Sequence, residues 1–145
     1  MEDFYMNIVL EDERAIVPTQ ANDGDAGFDV YTPFDIRIFS KQDVKVPLGF
    51  RCEFPKGYAL LMVNKSGRAV KDKIINGAQL IDSGYRGICH AHLFNIGDNL
   101  VDIKRGEKIS QFIVIPVWHG KINVVKQLIS EETMRGAGGF GSTGK

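Results

Sequence analysis

The chain has 145 residues, a length that suits one domain. Its 18 basic and 18 acidic residues cancel, so bulk charge offers nothing to a polynucleotide or an anionic membrane. Hydrophobic residues at 43% exclude a disordered chain, and no apolar run nears the ~18 residues of a membrane span.

The start, Met1-Glu2-Asp3-Phe4, is acidic, which argues against a leader peptide. Ile and Val number 27 against 16 Leu and Ala, so strands are favoured over helices. Phe4 to Leu10 is a β-rich opening. Phe34, Ile36 and Ile38 alternate with polar neighbours, as in a half-buried strand. Val44, Val46, Leu48 and Phe50 alternate again, and Pro47 places that segment at an edge or a bulge. Gly57-Tyr58 opens a run through Val63. Ser66 is a candidate cap for one short helix, Gly67 to Lys71, which ends before the turn signal Asn76-Gly77. From Gly87 to Asn95, Cys89, Ala91 and Leu93 share a face. Ile109 to Trp118 is apolar on both faces, the pattern of a doubly covered strand. His119-Gly120-Lys121 is a candidate turn into a further strand, Ile122 to Val125. Many short strands with almost no helix predict an all-β sandwich, jelly roll or barrel.

The tail is the least ordinary segment. Gly139 to Lys145 formally matches G-x-x-x-x-G-K, but no strand precedes it and no helix follows, so a P-loop is excluded by context. Its glycine amides, hydroxyls and Arg135 suit an anion, and Phe140 suits a flat ring; a floppy tail is the plain alternative. Ser66 between Lys65 and Arg68 is either a phosphate cradle or an ordinary capped turn. Alternation turns Asp29 away from Phe28 and Val30, towards solvent, where it is a solvated charge or a water-mediated cation ligand. Asp82 in Asp82-Ser83-Gly84 opens a turn, or offers a carboxylate to a water or a sugar hydroxyl, with Tyr85 on the same turn. Gln111 interrupts an apolar strand, so its amide needs partners or aims at a ligand. His90 and His92 share a face without a third metal ligand, so zinc is disfavoured. Cys52 and Cys89 are too few for a disulfide scaffold and suit a reducing compartment.

Taken in order, these elements resemble the trimeric dUTPase family. Five segments carry the resemblance: Ala26 to Tyr31, Pro55 to Gly67, Leu80 to Gly87, Arg105 to Phe112 and Arg135 to Gly144. It implies a jelly-roll-like β-barrel over residues 1–145, assembled as a homotrimer. A mobile glycine-rich arm, about 133–145, closes an active site on another subunit. The implied reaction takes dUTP and water to dUMP and pyrophosphate with Mg2+. Asp29 would hold Mg2+ through water. Lys65, Ser66 and Gly67 would meet the phosphates. Asn76 would face the uracil edge, helped by backbone groups of the following hairpin. Asp82 would bind the 3′-hydroxyl and activate water, with Gln111 positioning it. Tyr85 would pack under the deoxyribose. Arg135, Gly141, Ser142 and Thr143 would hold the terminal phosphate while Phe140 stacks on uracil. Lys65 stands where the family usually has Arg, and Gln79 where it usually has Gly. The implied setting is cytoplasmic or nuclear, or the host cytoplasm for a viral chain, with no membrane or polynucleotide partner. Two rivals keep the scaffold: dCTP deaminase chemistry, which the full fifth segment and Tyr85 argue against, and a non-enzymatic sensor, which would not need Asp29, Asp82 and Gln111 together.

Overall fold

The computed structural model describes residues 3–144, so Met1, Glu2 and Lys145 lie outside the described residues. Eleven strands follow in chain order: β1 Asn7–Leu10, β2 Phe28–Tyr31, β3 Ile36–Ile38, β4 Asp43–Pro47, β5 Phe50–Glu53, β6 Tyr58–Val63, β7 Ile74–Asn76, β8 Leu80–Asp82, β9 His90–Asn95, β10 Val101–Ile103 and β11 Lys108–Pro116. They pair antiparallel in four sheets, ordered β2-β11-β6-β8, β4-β9-β7, β1-β5 and β3-β10. The all-β expectation holds, although no continuous ring of pairing closes among the described residues. No helix there is long and apolar enough to cross a membrane.

Strand alternation explains the core. In β3, Ile36 and Ile38 point inward and Arg37 outward. In β9, Ala91, Leu93 and Asn95 are buried, and Cys89 continues that face. Pro47 ends β4, an edge strand that pairs only with β9, so its missing N–H costs no ladder bond. Phe50, Phe112, Leu60, Met62, Leu93 and Ile109 are among the fully buried side chains. Phe28 stacks on Phe112 across neighbouring strands at 5.2 Å and 10°. Cys52 and Cys89 meet in this core as free thiols, 3.6 Å apart.

Two segments depart from the sequence reading. The short helix is one wide π-type turn over Arg68–Asp72, and Ser66 does not cap it. The Ala69 N–H already has the Lys65 carbonyl at 2.9 Å, so the turn needs no hydroxyl there. Ile122 to Val125 forms no strand. The Val117 N–H still donates to the Gly57 carbonyl, but residues 118–144 form no strand, and Ile122 and Val124 are 94% and 99% exposed.

One irregularity decides the site. Along β11, Lys108 pairs with Tyr31 and Ser110 with Val30, so Ile109 is an extra residue, a β-bulge. Ile109 and Ser110 are both buried, and Lys108 emerges on the outer face with Gln111. Phe112 anchors this strand from beneath. Phe112→Ala should therefore cost about 4 kcal/mol, read as a lower urea midpoint with an unchanged slope.

Candidate active site

The β2-β11-β6-β8 sheet collects four of the five segments. In its register Gln111 faces Asp29 on one side and Val63 on the other, while Asp82 faces Ala59. Cross-strand partners share a face, so Asp29, Gln111 and Asp82 all lie on the side away from the core.

At one end stands a charged cluster. The Asp29 carboxylate is only 3% exposed, not solvated as alternation suggested, because two ammonium groups cover it. Lys65 Nζ donates to Oδ1 at 2.6 Å and Lys108 Nζ to Oδ2 at 2.8 Å. Burial pushes the Asp29 carboxyl up, but hydrogen bonds from Lys108 and Lys65 outweigh it and hold the group below its ordinary value. The same carboxylate pushes Lys108 up. The Asp29 backbone is tied on its other side to Thr19, by N–H···O bonds of 3.1 and 2.7 Å. Gln111 Nε2 donates to the Asn64 carbonyl at 2.9 Å. Its Oε1 lies 2.2 Å from where a Cβ on Gly27 would sit, so a side chain there would push the amide aside. Arg68 braces the cluster, donating to the Lys108 carbonyl at 2.9 Å and pairing with Asp72 and Glu107. Ser66 and Gly67 are exposed beside Lys65.

The other end opens a cavity of about 470 Å³. Ala78, Gln79, Leu80, Asp82, Tyr85 and His92 are on its wall. This is the size of a small-molecule site, mostly apolar with a few polar groups. Asp82 ends β8 and its carbonyl accepts the Tyr85 N–H at 3.1 Å, a tight turn that puts carboxylate and phenol on one rim. The Tyr85 hydroxyl donates to the Ile88 carbonyl at 2.9 Å, and its ring lies over Gly87, where a side chain would displace it.

Asn76 is engaged within the chain. Its Oδ1 accepts from Ser110 Oγ at 2.8 Å and its Nδ2 donates to Asn64 Oδ1 at 3.1 Å, so the amide is committed inside the fold and does not line the cavity. Nor is there a hairpin after it. β7 pairs with β9 and β8 with β6, so residues 77–79 cross between sheets.

The two ends do not converge. Asp82 and Gln111 are two strands across and four residues along, about 16 Å apart by strand geometry. Arg135, Phe140, Gly141, Ser142 and Thr143 lie on the exposed tail, and none lines the cavity. Arg135 Nε donates only to the Gly138 carbonyl, at 2.9 Å. Lys108 and His92, given no role on sequence grounds, are the residues the structure adds.

A cation has one candidate anchor here. Among the described residues no three His, Cys, Asp or Glu side chains come together. Both Asp29 oxygens already accept from ammonium groups, so this donor set suits contact with a hydrated ion through water rather than direct ligation.

The dUTPase family model matches residues 13–144. This chain belongs to the dUTPase family. It is 35% identical over 144 residues to the rat deoxyuridine 5′-triphosphate nucleotidohydrolase, covering 99% of this chain and 69% of the relative. The Picosynechococcus enzyme of that name is 35% identical over 142 residues, covering 97% and 99%. Among solved structures, the Staphylococcus bacteriophage 80alpha dUTPase with dUpNHpp superposes with TM-score 0.92 at 21% identity, covering 97% and 99%. A mutant dUTPase of S. aureus phage phi11, which coordinates a structural Mg(II) ion, superposes with TM-score 0.82 at 19% identity, covering 87% and 99%.

The Asp29 cluster has a measurable acid signature. A carboxyl held below its unfolded value adds stability that is complete above about pH 4 and is lost as pH falls through the folded value. Asp29→Asn should lower stability by about 2 kcal/mol at neutral pH, leaving two lysines unpaired, and shrink the acid-side loss. Thermal melts of both proteins across the acid range check this.

Proposed function

We propose that this dUTPase hydrolyses dUTP to dUMP and pyrophosphate in an active site shared between copies of the chain. The observation that carries the shared site is the separation of the Asp82–Tyr85 cavity from the Asp29–Lys65–Gln111 cluster, each incomplete alone. Two further features support a homotrimer. Ile113 and Ile115 on the outer face of β11 are only half-buried within one chain, although the strand pattern asks for two covers. The tail leaves Ile122, Val124, Leu128, Ile129 and Phe140 bare, which suits a segment that packs on a neighbour.

In this reading the cavity takes the deoxyuridine. Tyr85 packs against the sugar and leaves no room for a 2′-hydroxyl. Asp82 accepts from the 3′-hydroxyl and polarises the attacking water. The base meets the backbone of residues 77–79, with Gln79 in place of the usual glycine narrowing the approach. From a second copy, Lys65, Ser66 and Gly67 meet the phosphates, and Gln111 orients water and phosphate. Two ammonium groups face one carboxylate there, so the lysines offer donors to an arriving polyphosphate, while Arg68, Asp72 and Glu107 bring the wider cluster to neutrality. Lys65 carries the charge of the usual Arg without its two-pronged fork, so it holds one phosphate oxygen at a time. Asp29 would hold Mg2+ through water, and the ion would supply charge neutralisation at the leaving pyrophosphate. From a third copy, Arg135, Gly141, Ser142 and Thr143 grip the terminal phosphate while Phe140 covers uracil and excludes bulk water. Free thiols suit a cytoplasmic or nuclear setting for this work.

Three measurements test the scheme. Asp82→Asn should bind a non-hydrolysable dUTP analogue while turnover drops roughly a thousandfold; near-normal turnover removes Asp82 from the chemistry. Truncation after Glu132 should leave the assembly intact by light scattering and cut activity on the order of 100-fold; a full rate would exclude the arm. Co-refolding the two inactive variants should restore pyrophosphate release, since some mixed sites then take an intact Asp82 and an intact arm from different chains. No recovery would mean that each site takes both from one chain.

A further inference from the structure

We infer that His92 is a positioning residue for nucleotide recognition: its imidazole, oriented by Asp43, holds the loop 77–79 in the shape that meets the base. The inference rests on the reading of the cavity as the deoxyuridine pocket. The Ala78 N–H donates to His92 Nδ1 at 2.9 Å. A backbone N–H can only donate, so Nδ1 presents its lone pair and the ring proton sits on Nε2. Nε2 in turn faces Asp43 Oδ2 at 2.7 Å, which sets the ring's orientation and tautomer. The preceding amide, Gly77 N–H, donates to the His92 carbonyl at 2.9 Å. A Cβ on Gly77 would overlap the ring, so glycine is what lets the backbone come this close.

The loop has little else to shape it. It leaves β7, where Asn76 pairs with Leu93, and enters β8 on another sheet. Its far end is fixed by the Met62 N–H donating to the Gln79 carbonyl at 2.8 Å. Between those anchors the crossing has no strand partner, and Ala78 is held by the imidazole. His92 lines the same cavity as Asp82 and Tyr85, which belong to the proposed chemistry, but it acts on the wall. Losing its acceptor would free Ala78 and widen the set of loop shapes the substrate must select, a cost in binding and not in the chemical step.

Two amide substitutions separate this role from simple support. In His92→Asn, Oδ1 stands near the position of Nδ1 and can accept from Ala78. In His92→Gln, the same amide reaches towards Asp43 and leaves Ala78 without an acceptor. We expect His92→Asn to keep KM for dUTP within about twofold, and His92→Gln to raise it about tenfold with kcat nearly unchanged. Asp43→Ala, at an exposed carboxylate, should raise KM by about threefold because the ring loses its guide. Equal KM for the two amide variants, in an active wild-type background, overturns this inference alone. A wild-type KM in Asp43→Ala overturns the orienting role of Asp43. A wild-type chain that releases no pyrophosphate from dUTP overturns the functional reading, and this inference with it.

Discussion

The carboxylate of Asp29 binds three parts of the chain into one surface. It belongs to β2, receives Lys108 from β11, and receives Lys65 from the segment that leaves β6. A buried carboxylate without those ammonium groups would carry a desolvation cost of several kcal/mol. With them it is ionised and fixed. Arg68 adds stiffness by holding the Lys108 carbonyl and two acids at once. The end that we propose meets the phosphates is thus cross-linked before any ligand arrives, which reduces what binding must order.

The cavity end is built differently. Its wall is a crossing between sheets, shaped by two hydrogen bonds to His92 and one to Met62. Asp82 and Tyr85 sit on a four-residue turn that Tyr85 itself closes through its amide. One end of the sheet is organised by charge and the other by backbone shape. That division matches a nucleotide, which is charged at its phosphates and recognised by edge pattern at its base.

Much of this was legible in the residues. Alternation located β3, β4 and β9, an apolar run located β6, and Pro47 pointed to an edge or a bulge. Asp82 with Tyr85, and Asp29 with Gln111, lay in segments whose resemblance to dUTPases was specific. The misses share a cause: each depends on a contact that no local period encodes. Lys108 is three residues from Gln111, a spacing that puts two residues on opposite faces of a regular strand. Only the bulge at Ile109 brings them together. The amide of Asn76, in the segment that the resemblance turns to the base, is held by Asn64, just past β6, and by Ser110 of β11. Ile122 to Val125 has the composition of a strand, yet it finds no partner within its own chain. His92 read as an ordinary strand histidine because its two partners, Asp43 and Ala78, come from β4 and from the crossing loop.

The bulge also constrains how this chain can vary in length. A substitution at Ile109 would disturb local packing and leave the ladder in register. Deleting that one residue would leave Lys108 two places from Gln111, a spacing that a regular strand also puts on one face; what the deletion removes is one of two consecutive side chains, Ile109 and Ser110, that this strand turns into the interior. The extra residue of β11 therefore serves the packing beneath the sheet: the strand gains a second inward side chain at that level while its outer face keeps Lys108 beside Gln111.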